Sequence, residues 1–301
     1  MQSFKTLVKK MKQQDQLRRF LFENAGVRGE WVRLEKSWLQ AKQHQRIVNS
    51  AVASQLGQAL AAAVLLSATI KFKGALILQA QGDGDLKTLV AQSTHDRKVR
   101  AFVRSADKVS GETLQQMMGQ GHLVITIESG IGEPYQGIVP LEQPTLAGLL
   151  ETYFKQSEQL ETRLWLFAND TQAAGLMIQE LPDQENYRKD WERISTLAHT
   201  ITEQEMLSLD AEEILHRLFH EEQLRVFEPE PVQFYCTCSK DKTAETLVTL
   251  GQDALQRLLK EQGEVTVACQ FCGQRYHFDR QALESLLEKV SATLENPETR
   301  H

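Results

Sequence analysis

All four cysteines of this 301-residue chain lie near its C-terminal end, as Cys236-Thr-Cys238 and Cys269-Gln-Phe-Cys272. Four thiolates in two close pairs supply a complete tetrahedral ligand set for zinc. The same pairs are also two dithiols, each able to close into a short-range disulfide. One set of atoms therefore serves two chemistries, metal-bound thiolate and oxidised disulfide. The second pair reads as a zinc knuckle: Glu264-Val-Thr-Val-Ala before it and Arg275-Tyr-His-Phe278 after it are β-prone, and Gly273 permits the positive φ of a tight turn. The first pair departs from the usual two- to four-residue gap. Its single intervening residue holds the sulfurs close together and eases disulfide closure once a metal leaves.

These residues must be positioned by something, and size and composition say how much protein is available. Hydrophobic residues make up 41% and charged residues 25%, ordinary values for a globular protein of two or three domains. The formal charge of −6 argues against general nucleic-acid affinity. Thiols without further partners point to a reducing cytosol. The first 14 residues carry Lys5, Lys9, Lys10 and Lys12, but no long apolar run follows, so a secretory signal is not expected. The most apolar stretch, Ala59 to Leu66, is shorter than the roughly twenty residues that span a bilayer. A soluble cytoplasmic protein without membrane partners is the expectation.

Residues 1–182 read as one mixed α+β platform domain. Asp15–Asn24 reads as a helix and Glu30–Glu35 as a strand. Gln45–Ile70 reads as a long, buried central helix. Further strands are expected at Ala75–Gln81, Val99–Arg104, His122–Glu128, Tyr135–Val139, Arg163–Phe167 and Gly175–Glu180. Thr145–Ser157 reads as an amphipathic helix with Leu146, Leu149, Leu150, Tyr153 and Phe154 on one stripe. Strands and helices without βαβ alternation give an α+β fold class. The glycine-rich stretches Gly82–Asp85 and Gly130–Gly137 read as turns, and no G-x-x-x-x-G-K-[ST] or G-x-G-x-x-G loop is present, so ATP use is not expected.

Composition changes after Pro182. Between Asp183 and Glu230 there are 13 acidic and 5 basic residues. Apolar side chains still recur at helical spacing: Trp191, Ile194, Leu197 and Ala198, then Ile214, Leu215, Leu218 and Phe219. Asp210 three residues before Glu213 marks a helix start. Residues 183–231 thus form a charged helical linker, read either as solvated helices packed on the first domain or as a segment of marginal stability. From Val232 to His301 a small module surrounds the cysteines, with helices expected at Thr246–Lys260 and Arg280–Leu294. About 70 residues with few apolar side chains fall near the size where metal is needed for independent folding.

At the level of motifs the chain resembles the bacterial redox-regulated holdase chaperones of the thirty-three-kilodalton heat-shock protein family. The resemblance rests on the C-x-C…C-x-x-C array, on Asp15-Gln-Leu-Arg-Arg-Phe-Leu-Phe-Glu-Asn24 with Val27-Arg-Gly-Glu30, on Gly132-Glu-Pro-Tyr-Gln-Gly137, and on Tyr153-Phe-Lys-Gln-Ser-Glu-Gln-Leu160 with Thr162-Arg163. It implies no enzymatic activity. It implies instead one zinc ion on Cys236, Cys238, Cys269 and Cys272 in an inactive reduced state. Oxidation to the disulfides Cys236–Cys238 and Cys269–Cys272 would release zinc and unfold the 183–231 linker. Client proteins in the course of unfolding would then be held without ATP, by a form that dimerises, and passed to ATP-dependent foldases. Trp191, Ile194, Leu197, Ile214, Leu218 and Phe219 are the candidate client-binding side chains.

Three rivals use the same cysteines. A zinc-dependent nucleic-acid module would need a basic footprint, yet residues 232–301 hold 8 basic and 10 acidic residues. A thiol-disulfide oxidoreductase would place C-x-x-C at a helix start rather than between strands. A hydrolytic zinc needs an open coordination position, which only replacement of a cysteine by His277 would create.

Overall fold

The computed structural model describes residues 15–47, 49–69, 73–130, 132–181 and 187–295. The basic N-terminal residues, Ile70 and the composition break at Pro182–Asp183 lie outside them. The chain divides into two compact units, one ending at Tyr235 and one beginning at Cys236.

Two six-stranded sheets and the helix between them build the first unit. The first sheet runs β10-β1-β2-β9-β8, from β1 (Gln16–Phe22), β2 (Val27–Leu34), β8 (Thr162–Ala168), β9 (Ala173–Glu180) and β10 (Leu224–Val226), with β11 (Glu230–Pro231) also on β1. The second runs β12-β5-β4-β3-β6-β7, from β3 (Ala75–Gly82), β4 (Leu86–Thr94), β5 (Lys98–Ser105), β6 (Gly121–Glu128), β7 (Tyr135–Pro140) and β12 (Gln233–Phe234). Pairing is antiparallel except that β12 joins β5 in parallel. This is the α+β architecture expected, with a long central helix.

That helix, α2 (Ser50–Ser67), follows α1 (Lys36–Gln43) and packs against strands of both sheets. Among the described residues it is the one helix long and apolar enough to cross a membrane, and 78% of it is buried inside the fold. Its core includes Leu56, Leu60, Leu65, Val32, Leu34, Leu78, Ala101, Leu123, Leu149 and Leu164. The helix starts at Ser50, not at Gln45, because the Asn49 side chain accepts the Val52 N–H as a cap. The pattern overlooked α1 and β4.

The Asp15–Asn24 helix expectation is wrong, because β1 occupies this stretch. Leu17, Phe20 and Leu21 mimic helical spacing. In the fold Leu17 enters the α2 core, while Phe20 and Phe22 enter a second core on the opposite face. A hairpin ladder to β2 on one side and ladders to the distant β10 and β11 on the other decide the outcome. The Thr145–Ser157 expectation is also corrected in part: α4 covers Leu146–Tyr153, capped by Thr145, and a π-helical turn follows over Phe154–Glu158. The short α3 spans Leu114–Met118.

Three helices lie over the outer face of the first sheet: α5 (Tyr187–Ala198), α6 (Glu203–Ser208) and α7 (Ala211–Phe219). Capping boxes start two of them, Thr202 with Glu205 and Asp210 with Glu213. Trp191, Ile194, Ile214, Leu218 and Phe219 are buried against Phe20, Phe22, Val27, Trp31, Leu176 and Ile178, with Leu197 half-buried beside them. Phe219 meets Phe22 edge to face at 5.0 Å.

The second unit contains α8 (Lys240–Val248), α9 (Gln252–Glu261), the hairpin β13 (Val265–Ala268) and β14 (Arg275–Phe278), and α10 (Arg280–Glu295). The single helix expected at Thr246–Lys260 is two helices. Gly251, at φ 86°, breaks the chain between them in a conformation side-chain-bearing residues resist. The core is thin: Leu247, Leu255, Phe278, Leu283, Leu286 and Val290 are its buried apolar side chains among the described residues.

Candidate metal centre

Two local structures carry the four sulfurs. Cys236 and Cys238 lie in extended chain just before Ser239, whose hydroxyl caps α8 by accepting the Lys242 N–H. Cys269 and Cys272 form the turn between β13 and β14. There the Cys269 N–H donates to Gln274 O at 2.8 Å, and the Gly273 N–H donates to Cys269 O at 2.8 Å. Gly273 takes φ 70°, as this knuckle requires.

The four Sγ atoms all lie within 4.8 Å of one another. Cys236 Sγ stands 3.7 Å from Cys269 Sγ, and Cys238 Sγ 3.4 Å from Cys272 Sγ. Four Zn–S bonds of about 2.3 Å place tetrahedral sulfurs about 3.8 Å apart. The cluster therefore has the dimensions of a closed four-sulfur metal site. Disulfide bonding at about 2.05 Å would need further approach, and all four cysteines are free thiols here. Each is half-buried.

Donors and burial act against each other on the thiols. Burial pushes Cys236 and Cys272 up, although the backbone N–H groups of Cys238 and Gln274 favour their thiolates. Burial opposes ionisation of Cys238 too, yet the Tyr276 hydroxyl and the neighbouring sulfurs outweigh it and bring Cys238 down. Tyr276 Oη donates to Cys238 Sγ at 3.1 Å, and this bond pushes the tyrosine up to about 12. Sequence reasoning passed over Tyr276; its only signal is an aromatic hydroxyl on the strand leaving the second pair. His277 lies on the same strand with Nδ1 3.3 Å from Thr266 Oγ1 and Nε2 3.8 Å from Glu264, and it is not part of the sulfur cluster. The six apolar client-binding candidates are brought together, but in the first unit.

The family model described as Hsp33 protein matches residues 15–279. The chain belongs to the Hsp33 family. It is 52% identical over 295 residues to the 33 kDa chaperonin of Nitrosococcus oceani, covering 97% of this chain and all of that one. It is 44% identical over 300 residues to the 33 kDa chaperonin of Pseudomonas aeruginosa strain UCBPP-PA14, again covering 97% of this chain and all of the relative. The crystal structure of the 33 kDa chaperonin from Thermotoga maritima superposes with a TM-score of 0.79 at 24% identity, over 92% of this chain and 99% of that one. Hsp33 proteins are non-enzymatic chaperones, so the sulfur cluster belongs to a binding protein.

Proposed function

We propose that the chain is a redox-regulated, ATP-independent holdase of the cytoplasm, and that Cys236, Cys238, Cys269 and Cys272 are its sensor. Family membership and the four convergent sulfurs support this reading, and the sulfur cluster is the observation that carries it. Zinc, when bound, would offset half the charge of the four thiolates and supply folding free energy of order 10–16 kcal/mol. The thin core, six buried apolar side chains among the described residues, supports a dependence of residues 236–301 on that contribution.

The chain's own residues account for the rest. Peroxide takes two electrons from each thiol pair: one S–S bond forms, the O–O bond breaks, and two waters leave with the thiol protons. All three pairings of four cysteines are open at the start. Sulfurs with one or two intervening residues remain neighbours once the unit loosens, whereas Cys236–Cys269 and Cys238–Cys272 separate. That favours Cys236–Cys238 and Cys269–Cys272. Residues 224–235, which hold β10, β11 and β12 to the two sheets, run directly into Cys236. Loss of structure at the cysteines would spread along them into a 183–231 linker and divide the chain functionally at 182 and 231.

Release of α5–α7 would uncover Trp191, Ile194, Leu197, Ile214, Leu218 and Phe219 on the linker. It would equally uncover Phe20, Phe22, Trp31 and Ile178 on the platform. The acidic excess of the linker would keep this apolar surface in solution. The active form would dimerise and release clients to ATP-dependent foldases after thiol exchange restores the dithiols. Light scattering from a heat-unfolded client, without ATP, tests this. Suppression by peroxide-treated but not by reduced, zinc-loaded protein is expected, and equal behaviour of the two would leave the metal a structural staple.

A further inference from the structure

Two of the chain's eight histidines fall four residues apart at the end of α7, as His216-Arg-Leu-Phe-His220. Residues at this spacing share one face of a helix. His220 lies one residue past the end of α7 but keeps helical angles, φ −63° and ψ −19°, so the register holds through it. The two rings stand with centroids 5.9 Å apart at 62°. Both are exposed, as is Glu221, whose Oε1 lies 3.9 Å from His220 Nε2. Nearby charges that would compete are already engaged. Arg217 pairs with Glu205 at 2.6 Å, Glu212 pairs with Arg18 at 2.6 Å, and Glu222 pairs with Arg193.

We propose that His216 and His220, with Glu221, form a second divalent-metal site on the last turn of α7, separate from the cysteines. Both side chains are exposed, and turning about their χ angles can bring one nitrogen of each ring to ~2.1 Å from a shared ion. A helical pair of histidines at i and i+4 is an established zinc-binding geometry. Imidazole and carboxylate donors select borderline divalent transition ions such as Zn2+, Ni2+ and Cu2+. Water completes the shell, so the site is open and labile where the four-sulfur cluster is closed.

The site exists only while α7 is helical, because the two rings diverge in an extended chain. An ion that binds the folded form alone stabilises it. Metal at His216 and His220 therefore stabilises the helical form of α7, the form in which its apolar residues pack on the first sheet. On the proposed linker reading, it acts as a brake on client-surface exposure that rises with free metal concentration. The metal site itself stands independently of that reading.

The test is a calorimetric titration of the reduced, zinc-loaded full chain with Ni2+, in wild type, His216→Ala, His220→Ala and a control, His122→Ala, with Cys269→Ser titrated alongside. Both ligand variants should lose affinity by about tenfold or more, while the control matches wild type. Hydrogen exchange run alongside should show Ni2+ slowing the amides of Ile214–Phe219 in wild type only. Affinity unchanged in both ligand variants, or a binding signal that disappears only in Cys269→Ser, would place the ion elsewhere and overturn the proposal. Histidine-dependent binding that leaves those amides unprotected would overturn the stabilisation of α7. Neither result bears on the light-scattering test of holdase activity, which can fail or succeed separately.

Discussion

The two faces of the first sheet carry covers of different kinds. On one face lies α2, with 14 of its 18 residues buried and no charged residue among them. It is packed between two sheets, so moving it would expose apolar surface on every side. The other face is covered by α5, α6 and α7. Of the nine residues of α7, Ala211, Ile214, Leu215, Leu218 and Phe219 are buried, and Glu212, Glu213, His216 and Arg217 face outward. Such a helix has one apolar partner and a polar exterior that is soluble whether docked or free. The same strands, by alternation, therefore build a core closed between two sheets on one side and a core covered only by amphipathic helices on the other. On the proposed function, this asymmetry would let the chain expose apolar surface without unfolding altogether.

The comparison can be broken most severely at the cysteines. Chelating the metal from the reduced chain should remove of order 10–16 kcal/mol from the folding of residues 236–301. Hydrogen exchange should then rise in α5–α7 while α2 stays protected. Equal deprotection of α2 would mean that the two covers form one cooperative unit.

Matched truncations sharpen the contrast. Leu60→Ala in α2 and Leu218→Ala in α7 remove the same atoms from buried sites, each at a cost of about 2–5 kcal/mol. The first should lower the global urea midpoint. The second should leave most of that midpoint in place and speed exchange within α5–α7. Identical global losses would argue against a separable outer cover.

Glu30 gives a smaller, pH-dependent handle. It shares the α2-facing side of β2 with Val32 and Leu34, opposite Arg19 on β1. Burial pushes its carboxyl from 4.5 up to about 7, against the lowering pull of Arg28, Arg19 and Arg97. Between those values the folded chain holds the proton more tightly than the unfolded chain, so stability should fall as pH rises from 4.5 to 7. The loss should be on the order of 3 kcal/mol and global, since Glu30 faces the core around α2. Denaturation midpoints across this range should lose that slope in Glu30→Gln; an unaltered slope would assign it to other groups.

The smallest effect belongs to a cap. Asp210→Ala removes the acceptor for the Glu213 N–H, 3.0 Å away, at the start of α7. It should cost about 1 kcal/mol, read as faster exchange in α7 and a lower peroxide dose for client binding. Slower activation than wild type would contradict a detachable α7.

How much of this was legible beforehand varies with the range of the interactions concerned. Strands β3, β5, β6, β7, β8 and β9 announce themselves through β-branched residues and alternation. The Asp210–Glu213 cap and the four-cysteine array are equally local signals. Asp15–Asn24 misleads because Leu17, Phe20 and Leu21 fit a helix, and pairing with β2 on one edge and with residues more than two hundred positions away on the other makes a strand of them. The break at Gly251 is local, yet the apolar spacing on either side masks it.

By itself, the sequence determined the donor atoms, the capping signals and the apolar periodicity, because these depend on residue type and on neighbours within a turn or a strand. Tertiary structure alone decided that the two cysteine pairs converge within 4.8 Å, that Tyr276 reaches Cys238, and which face of the first sheet each apolar side chain serves. Those outcomes depend on contacts between distant segments, whose closure is set by the packing of the whole chain and leaves no trace in local pattern.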